Sequence, residues 1–171
     1  MVARISVGKN LYGALAYNQN KVDEGGAKVL SAHLLRYPED GRFRPDESVR
    51  QFLEWMPNHY RTEKPVIHIS LNPHPDDVLT DGQLAEIGRE YMQRLGYGNQ
   101  PYLVFKHEDI GRHHIHIVSL RVDSEGRKVS DKFEYRRSKE ITELLEQKYG
   151  LHPAEGRKKG EEWQLKPVDV A

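Results

Sequence analysis

Hydrophobic residues alternate with polar ones in some segments of the chain and recur with helical spacing in others. Alternating or continuous apolar runs predict strands at 3–8, 65–73, 101–107 and 114–122. Apolar residues three and four apart predict helices at 10–22, 46–56, 79–96 and 136–150. The apolar segment 29–35 fits either a strand or a helix, and the turn at 123–129 is expected to lead to one more strand.

Several predicted helix ends carry capping residues. Asn10 is a candidate N-cap for the first helix, and Thr80 with Gln83 has the spacing of a capping box. Gly96 and Gly150 follow the last residues of two helices, where glycine readily adopts the left-handed conformation that ends a helix. Because the strands are joined both by turns and by helices, the pattern predicts an α+β fold, with a mainly antiparallel central sheet and flanking helices.

The composition is that of a soluble globular protein, with 37% hydrophobic and 30% charged residues. There is no run of about 18 apolar residues, so no membrane segment is predicted. Cysteine is absent, which excludes disulfides and thiolate metal sites and is typical of a cytoplasmic protein. The formal net charge is zero, but the stretch from Lys106 to Lys139 is locally basic, as a phosphate-binding surface would be.

Three histidines lie at positions from which they would bind one metal ion together. His114 and His116 are two residues apart on a predicted strand, so their side chains leave the same face about 7 Å apart. His107 ends the preceding strand, and a hairpin between the two strands would bring it close to His114. Three imidazoles leave positions open for water and substrate oxygens, which is the pattern of a catalytic metal site.

The residues around these histidines refine the prediction. Asp109, or alternatively Glu108, is placed to accept a hydrogen bond from a ligand imidazole and to fix its tautomer. His113 is expected to point to the opposite face of the strand. The histidine-triad nucleotide hydrolases would require a histidine where the chain has Val118, and the two-histidine phosphoesterases would require a second motif like "HIS" at 68–70.

Three segments together resemble the motifs of a known family. They are "GKNLYGALAYNQNKV" at 8–22, "KPVIHISLNPHPDDVLTDGQL" at 64–84 and "HEDIGRHHIHIVSLRVD" at 107–123. In this order they resemble the three motifs of relaxases, the mobilisation nucleases of conjugative plasmids and transposons, which are His-hydrophobe-His endonucleases. The likeness is closest to the mobilisation proteins of Bacteroides-type elements. The resemblance implies a nuclease domain over 1–150, followed by a polar and partly disordered tail over 151–171.

The resemblance also implies a reaction and its participants. A relaxase of the bacterial cytoplasm binds single-stranded DNA at an origin of transfer. It nicks that strand through a tyrosine that becomes linked to the 5′ phosphate. Tyr17 matches the family's tyrosine position better than Tyr12, which is the alternative. The metal would be Mn²⁺ or Mg²⁺, although three imidazoles suit zinc, nickel or copper better. Relaxosome accessory and coupling proteins are the further partners that the resemblance implies.

Candidate DNA contacts lie around these motifs. Lys106 directly precedes His107, and Arg112 lies in the loop before the strand of His114 and His116. Ser70 shares a strand face with His68 and Asn72. Arg136 and Arg137 belong to a basic and aromatic stretch at 127–137 that would track single-stranded DNA by charge and stacking. For each of these residues, the alternative is a solvated charge or a buried polar group bonded to the backbone.

Two other functions are compatible with the same sequence features. A rolling-circle replication initiator would use the same catalytic residues, and a non-catalytic DNA-binding module would hold a structural metal with the histidines. A closed structural site needs a fourth protein ligand, whereas a catalytic site has three protein ligands and water.

Overall fold

A computed structural model describes residues 1–108 and 112–154 of the chain. The strands are β1 (Val2–Gly8), β2 (Ala27–His33), β3 (Val66–Asn72), β4 (Tyr102–His107) and β5 (His114–Leu120). The helices are α1 (Leu11–Asp23), α2 (Pro45–Trp55), α3 (Asp81–Leu95) and α4 (Glu134–Tyr149). None of the helices within these ranges is long and apolar enough to cross a membrane.

The five strands form one sheet in the order β1-β3-β5-β4-β2, and every neighbouring pair is antiparallel. The predicted α+β class with an antiparallel sheet and flanking helices is therefore confirmed. Strands β4 and β5 form the predicted hairpin, with His107 opposite His114 next to the connecting turn and Tyr102 opposite Ser119 at the other end. We call these two ends of the sheet the histidine end and the far end.

The sheet separates two hydrophobic cores. On one face, Ile115 and Ile117 of β5 belong to a core that also contains Leu84 and Ile87 of α3. On the other face, Val118 and Leu120 belong to a core that includes residues of α1 and α2. Strand β5 is thus buried on both faces, as its continuous apolar pattern predicts. The face covered by α1 is also the face that carries the three histidines, since His114 and His116 alternate with the two isoleucines.

The capping residues work as the sequence predicts. The side chain of Asn10 accepts a hydrogen bond from the backbone N–H of Gly13 at 2.8 Å, which starts α1. Thr80 and Gln83 form the reciprocal bonds of a capping box at the start of α3. Gly96 and Gly150 end their helices with positive φ values of 107° and 66°. Of these helices, α1 is the one that carries both candidate tyrosines, Tyr12 and Tyr17.

The structure resolves one ambiguity and corrects one prediction. Residues 29–33 of the ambiguous segment belong to strand β2 (Ala27–His33), and its last two residues lie beyond the strand. The strand expected after the turn at 123–129 is absent from the described residues, where Val122 and Lys128 form a single bridge. The chain then leaves the sheet, and the Ser130 carbonyl accepts a hydrogen bond from the side chain of Arg137. Beyond Ala154, the rest of the predicted tail lies outside the described residues.

Candidate metal centre and active site

The antiparallel pairing brings the three histidines together. His107 and His114 are direct partners across the β4–β5 hairpin, and His116 follows two residues later on the same face. Their candidate ligand nitrogens all lie within 4.8 Å of one another. All three side chains are buried, at no more than 3% exposed. Burying three imidazoles is costly unless they have partners, and this grouping is what a divalent metal site requires.

Within the described ranges, the His116 ring of this cluster has a nitrogen that makes no hydrogen bond. The Nε2 of His116 is buried and makes no hydrogen bond there, while its Nδ1 lies 3.1 Å from the Nε2 of His68. A buried nitrogen with a lone pair and no donor nearby is the group that a metal ion would satisfy. The residues present therefore fit a divalent ion held by His107, His114 and His116.

His68 of β3 supports this arrangement from the neighbouring strand. Its ring lies 4.8 Å from that of His116, and the ring of His68 is itself buried. Burial lowers the pKa of His68 to about 3, and the nearby charge of His107 acts in the same direction. Burial likewise holds the pKa of His116 well below its usual value. Both rings are therefore neutral at physiological pH, which is the form that binds metal or supports a ligand.

Asn18 of α1 contacts His107 on the face of the sheet that carries the histidines. Its Oδ1 accepts a hydrogen bond from the Nε2 of His107 at 2.8 Å, and its Nδ2 donates to the carbonyl of Ala14 at 2.8 Å. The second bond fixes which end of the amide faces His107. Asn18 is fully buried. The helix that carries the candidate tyrosines is therefore bonded directly to a candidate metal ligand.

Tyr17 lies over the histidine cluster. Its ring centroid is 6.2 Å from that of His107, in a stacked arrangement, and 6.4 Å from that of His116. The side chain is 36% exposed, so one edge reaches solvent where a substrate would approach. Tyr12 is 55% exposed and makes no ring contact with the three histidines in the part of the chain that the structure describes. The geometry favours Tyr17 over Tyr12.

Ser70 and Asn72 lie on the histidine face of β3. Ser70 is the direct strand partner of His116, and its hydroxyl accepts a hydrogen bond from Asn72 at 3.2 Å. The same Asn72 amide also donates to the carbonyl of Val2 at 3.1 Å. Both side chains are buried. Ser70 is thus close to the cluster, as predicted, while the bonds of Asn72 match the structural alternative.

Lys106 occupies a different environment from the one that its predicted DNA contact requires. It precedes His107 on β4, so its side chain leaves the opposite face of the sheet. Its ammonium is buried between the carboxylates of Asp81 at 2.7 Å and Glu108 at 2.8 Å. Glu108, the alternative acceptor for a ligand imidazole, is therefore committed to Lys106. Asp109, the first candidate for that role, lies outside the described residues.

The predicted arginine contacts divide between the two ends of the sheet. Arg112 is half-buried and precedes His114 by two residues, so it lies at the histidine end. Arg137 donates to the carbonyls of Leu95, Ser130 and Lys132, which places it at the far end where α3 stops. Arg136 lies 4.5 Å from the ring of Phe133 in the same region. Arg136 and Arg137 therefore lie at the opposite end of the sheet from the three histidines.

Asn18 and Lys21 are the site residues that sequence reasoning missed. Lys21 lies one helical turn beyond Tyr17, with its Nζ 6.0 Å from the centroid of the tyrosine ring. Because residues four apart on a helix share a face, the assignment of Tyr17 also predicts that Lys21 lies near the site. Asn18 gave a weaker signal, because a buried polar residue on a helix cannot be told from an exposed one by spacing alone.

Comparison with known proteins places the chain in a family. None of the curated proteins that were compared matches the chain. The sequence profile described as "Relaxase: MobA/VirD2-like, nuclease domain" matches residues 17–151, which include all three histidines and Tyr17. The chain therefore belongs to the MobA/VirD2-like relaxase nuclease domain family.

Proposed function

We propose that this protein nicks one strand of DNA at an origin of transfer by attack of Tyr17 on the scissile phosphate. Membership of the relaxase nuclease family implies DNA endonuclease activity. The observation that supports Tyr17 is the position of its ring over His107 and His116, with an exposed edge. A tyrosine in this position can reach a phosphate held beside the cluster.

The proposed reaction exchanges one phosphodiester for another. The phenol oxygen of Tyr17 forms a bond to phosphorus, and the bond from phosphorus to the 3′ oxygen breaks. The phenol releases its proton to solvent, and the departing 3′ oxygen takes up a proton. The products are a free 3′-hydroxyl and a 5′-phosphotyrosine link. Because the energy of the phosphodiester is kept in this link, the strand can be rejoined by the reverse reaction.

His107, His114 and His116 would hold the divalent ion that the family implies, and we propose Mn²⁺ or Mg²⁺. The ion, when bound, supplies positive charge to the non-bridging oxygens of the phosphate. Two neighbouring residues hold the ligand histidines in place. Asn18 orients His107, and His68 contacts His116 on the side away from the proposed ion.

The biological setting follows from the reaction. Conjugative mobilisation is the role that a transfer-origin nuclease would serve, and the three sequence motifs favour an element of Bacteroides type. The substrate would be single-stranded origin DNA in the bacterial cytoplasm, with relaxosome accessory and coupling proteins as further partners. The family match supports this reading over a replication initiator. The single-stranded substrate is expected to approach the histidine end of the sheet, near Arg112 and Ser70.

The test is the formation of a covalent adduct. A 5′-labelled or 3′-labelled single-stranded oligonucleotide carrying the transfer origin is incubated with protein and Mn²⁺, then analysed by denaturing electrophoresis. Label on the 3′ side of the nick should migrate with the protein, and label on the 5′ side should be released. Tyr17→Phe removes one oxygen and should abolish the adduct while DNA binding persists.

Tyr12→Phe is the matched control on the same helix and should retain the adduct. An adduct lost only in Tyr12→Phe would move the nucleophile and keep the mechanism. Nicking without an adduct in either variant would mean attack by water, and the proposed covalent step would be wrong.

A further inference from the structure

Two aromatic side chains are exposed where α4 begins, at the far end of the sheet. Tyr135 is 91% exposed and Phe133 is 58% exposed. The segment that leads to them is bonded to the residue after β5, because the N–H of Val129 donates to the carbonyl of Arg121 at 2.7 Å. An aromatic ring gains much free energy from burial, so two neighbouring rings left in solvent indicate a surface that contacts a partner.

Two cations accompany these rings. The Cζ of Arg136 lies 4.5 Å from the centroid of the Phe133 ring, and the Nζ of Lys132 lies 5.4 Å from it. Both side chains are exposed, so a ligand in solvent can reach them. A guanidinium that lies over an aromatic ring still presents N–H groups to phosphate oxygens. We call Lys132, Phe133, Tyr135 and Arg136 the aromatic–basic surface.

The acidic residues of the same segment do not offset its positive charge. Basic side chains outnumber acidic ones by five to two over residues 127–137. The carboxylate of Asp131 lies 3.1 Å from the guanidinium of Arg121 and 3.2 Å from the ammonium of Lys128. The other acidic residue, Glu134, is half-buried. The excess of positive charge complements the phosphates of a nucleic acid.

The backbone under the surface is held in an uncommon conformation. The φ of Phe133 is 54°, in the left-handed region that glycine and asparagine adopt more readily than an aromatic residue does. The guanidinium of Arg137 fixes the segment, because it donates to the carbonyls of Ser130 and Lys132 at 2.9 Å and of Leu95 at 3.0 Å. Backbone strain of this kind persists at binding sites, where it keeps a contact residue oriented. The rings are thus presented on a backbone that is already ordered.

We propose that the aromatic–basic surface binds single-stranded DNA at a second site, with bases stacked on Phe133 and Tyr135 and with phosphates held by Lys132 and Arg136. Aromatic rings interleaved with cations bind single strands without reading their sequence. The site requires neither Tyr17 nor the three histidines, so the inference goes beyond the nicking reaction. The seven residues of β5 separate the two ends of the sheet by about 20 Å. A strand that occupies both sites would be bound more tightly than at either site alone.

The experiment compares Phe133→Asn and Tyr135→Ser with Tyr135→Phe, which keeps a ring, and with the control Tyr37→Ser. Tyr37 is 61% exposed and lies in the segment between β2 and α2. Affinity is measured by fluorescence anisotropy with an oligothymidylate of about 30 nucleotides, which exceeds a single site of about 4–16 nucleotides. A strand of the same length without bases and a duplex of the same length are measured alongside. Melting temperature checks the fold of each variant.

Phe133→Asn and Tyr135→Ser should each weaken binding to oligothymidylate by about tenfold. Phe133→Asn should do so with an unchanged or higher melting temperature, because asparagine tolerates the left-handed conformation. Tyr135→Phe should retain most of the affinity, and Tyr37→Ser should match the original protein. Unchanged affinity for oligothymidylate in folded Phe133→Asn and Tyr135→Ser would overturn the inference. Equal losses on the strand without bases or on the duplex would mean that charge acts alone, and would overturn the stacking.

A crosslinking measurement on the unmodified protein covers the case in which a variant does not fold. An oligonucleotide with bromodeoxyuridine in place of thymidine is bound and irradiated, and the protein is digested with trypsin. Cleavage after Lys132 and Arg136 places both rings in the peptide 133–136. A crosslink to this peptide is expected. Its absence, with crosslinks elsewhere in the chain, would overturn the inference.

The two proposals can fail separately. If the original protein forms no adduct with the origin oligonucleotide but binds oligothymidylate through Phe133 and Tyr135, the nicking reaction is wrong and the second site stands. If the original protein forms the adduct and both variants bind oligothymidylate as it does, the second site is wrong and the nicking reaction stands.

Discussion

Asn18 accepts a hydrogen bond from the Nε2 of His107 at 2.8 Å, across the gap between helix α1 and strand β4. The residue before Asn18 is Tyr17, the proposed nucleophile. A single buried amide thus fixes the helix that carries the nucleophile relative to the strand that ends in a metal ligand. The helix also packs on the sheet through Leu11, Ala14 and Leu15. These contacts hold α1 against the sheet.

Replacing Asn18 by alanine should loosen this connection. The His107 nitrogen would lose a buried partner, and we expect the free energy of unfolding to fall by about 1–3 kcal/mol. Mn²⁺ affinity should fall as well, because the ligand ring is less well oriented, by about tenfold or more. Chemical denaturation and metal titration measure the two effects. Asn20→Ala changes an exposed residue of the same helix and should alter neither value.

The metal centre predicts a sharp difference between adjacent histidines. His114→Ala removes a candidate ligand and should abolish Mn²⁺ binding at the site, with nicking reduced by about 100-fold or more. His113→Ala changes an exposed side chain, whose Nε2 lies 3.9 Å from the carboxylate of Glu108. It should preserve both properties. Isothermal titration with Mn²⁺ distinguishes the variants, and equal affinities would contradict the assignment of His114.

Burial of neutral histidines predicts acid sensitivity of the metal-free protein. Burial lowers the pKa of His68 from 6.5 to about 3 in the folded state. Between these values the unfolded chain takes up a proton that the folded chain does not, so stability is lost as pH falls through this range. Each such group contributes up to about 1.4 kcal/mol per pH unit.

His68→Gln should therefore make the pH dependence shallower. Glutamine keeps a polar group beside His116 but does not titrate. Urea denaturation in the presence of a chelator, at several pH values from 7 to the range near pH 4, measures the slope. The variant should lose about 1.4 kcal/mol per pH unit of the slope. An unchanged slope would mean that His68 is protonated in the folded state.

Much of the fold was predictable because its signals are local. The strand alternation of the β4–β5 segment and the capping residues of α3 lie within short stretches, and both predictions are confirmed. The pairing of His107 with His114 followed from the hairpin alone. Strand alternation also carried an unused signal, since Lys106 and His107 are adjacent and must face opposite sides of the sheet.

The remaining features of the site depend on long-range pairing. The contact between His68 and His116 exists because β3 pairs with β5, and the two residues are 48 positions apart. The position of Arg137 at the far end depends on where α3 ends, since its guanidinium donates to the Leu95 carbonyl. Local sequence patterns do not contain the strand order or the path of a helix across a sheet.

Lys106 and Arg112 give the last prediction, because both were predicted as phosphate contacts and the structure separates them. Lys106→Met removes an ammonium that is held by Asp81 and Glu108 on the face opposite the histidines. The two carboxylates are half-exposed and would be solvated, so we expect stability to fall by about 1 kcal/mol or less. DNA affinity should change little.

The salt dependence of DNA binding separates the two residues. A lysine or arginine that neutralises one phosphate contributes about one unit to the slope of log affinity against log salt, or slightly less for single strands. Arg112→Met, at the histidine end, should therefore lower the slope by about one, whereas Lys106→Met should leave it unchanged. Fluorescence anisotropy with a labelled oligonucleotide over a range of salt measures both. A lower slope for Lys106→Met would show that Lys106 exchanges its carboxylate partners for a phosphate when DNA binds, and the sequence-based assignment of Lys106 would then hold.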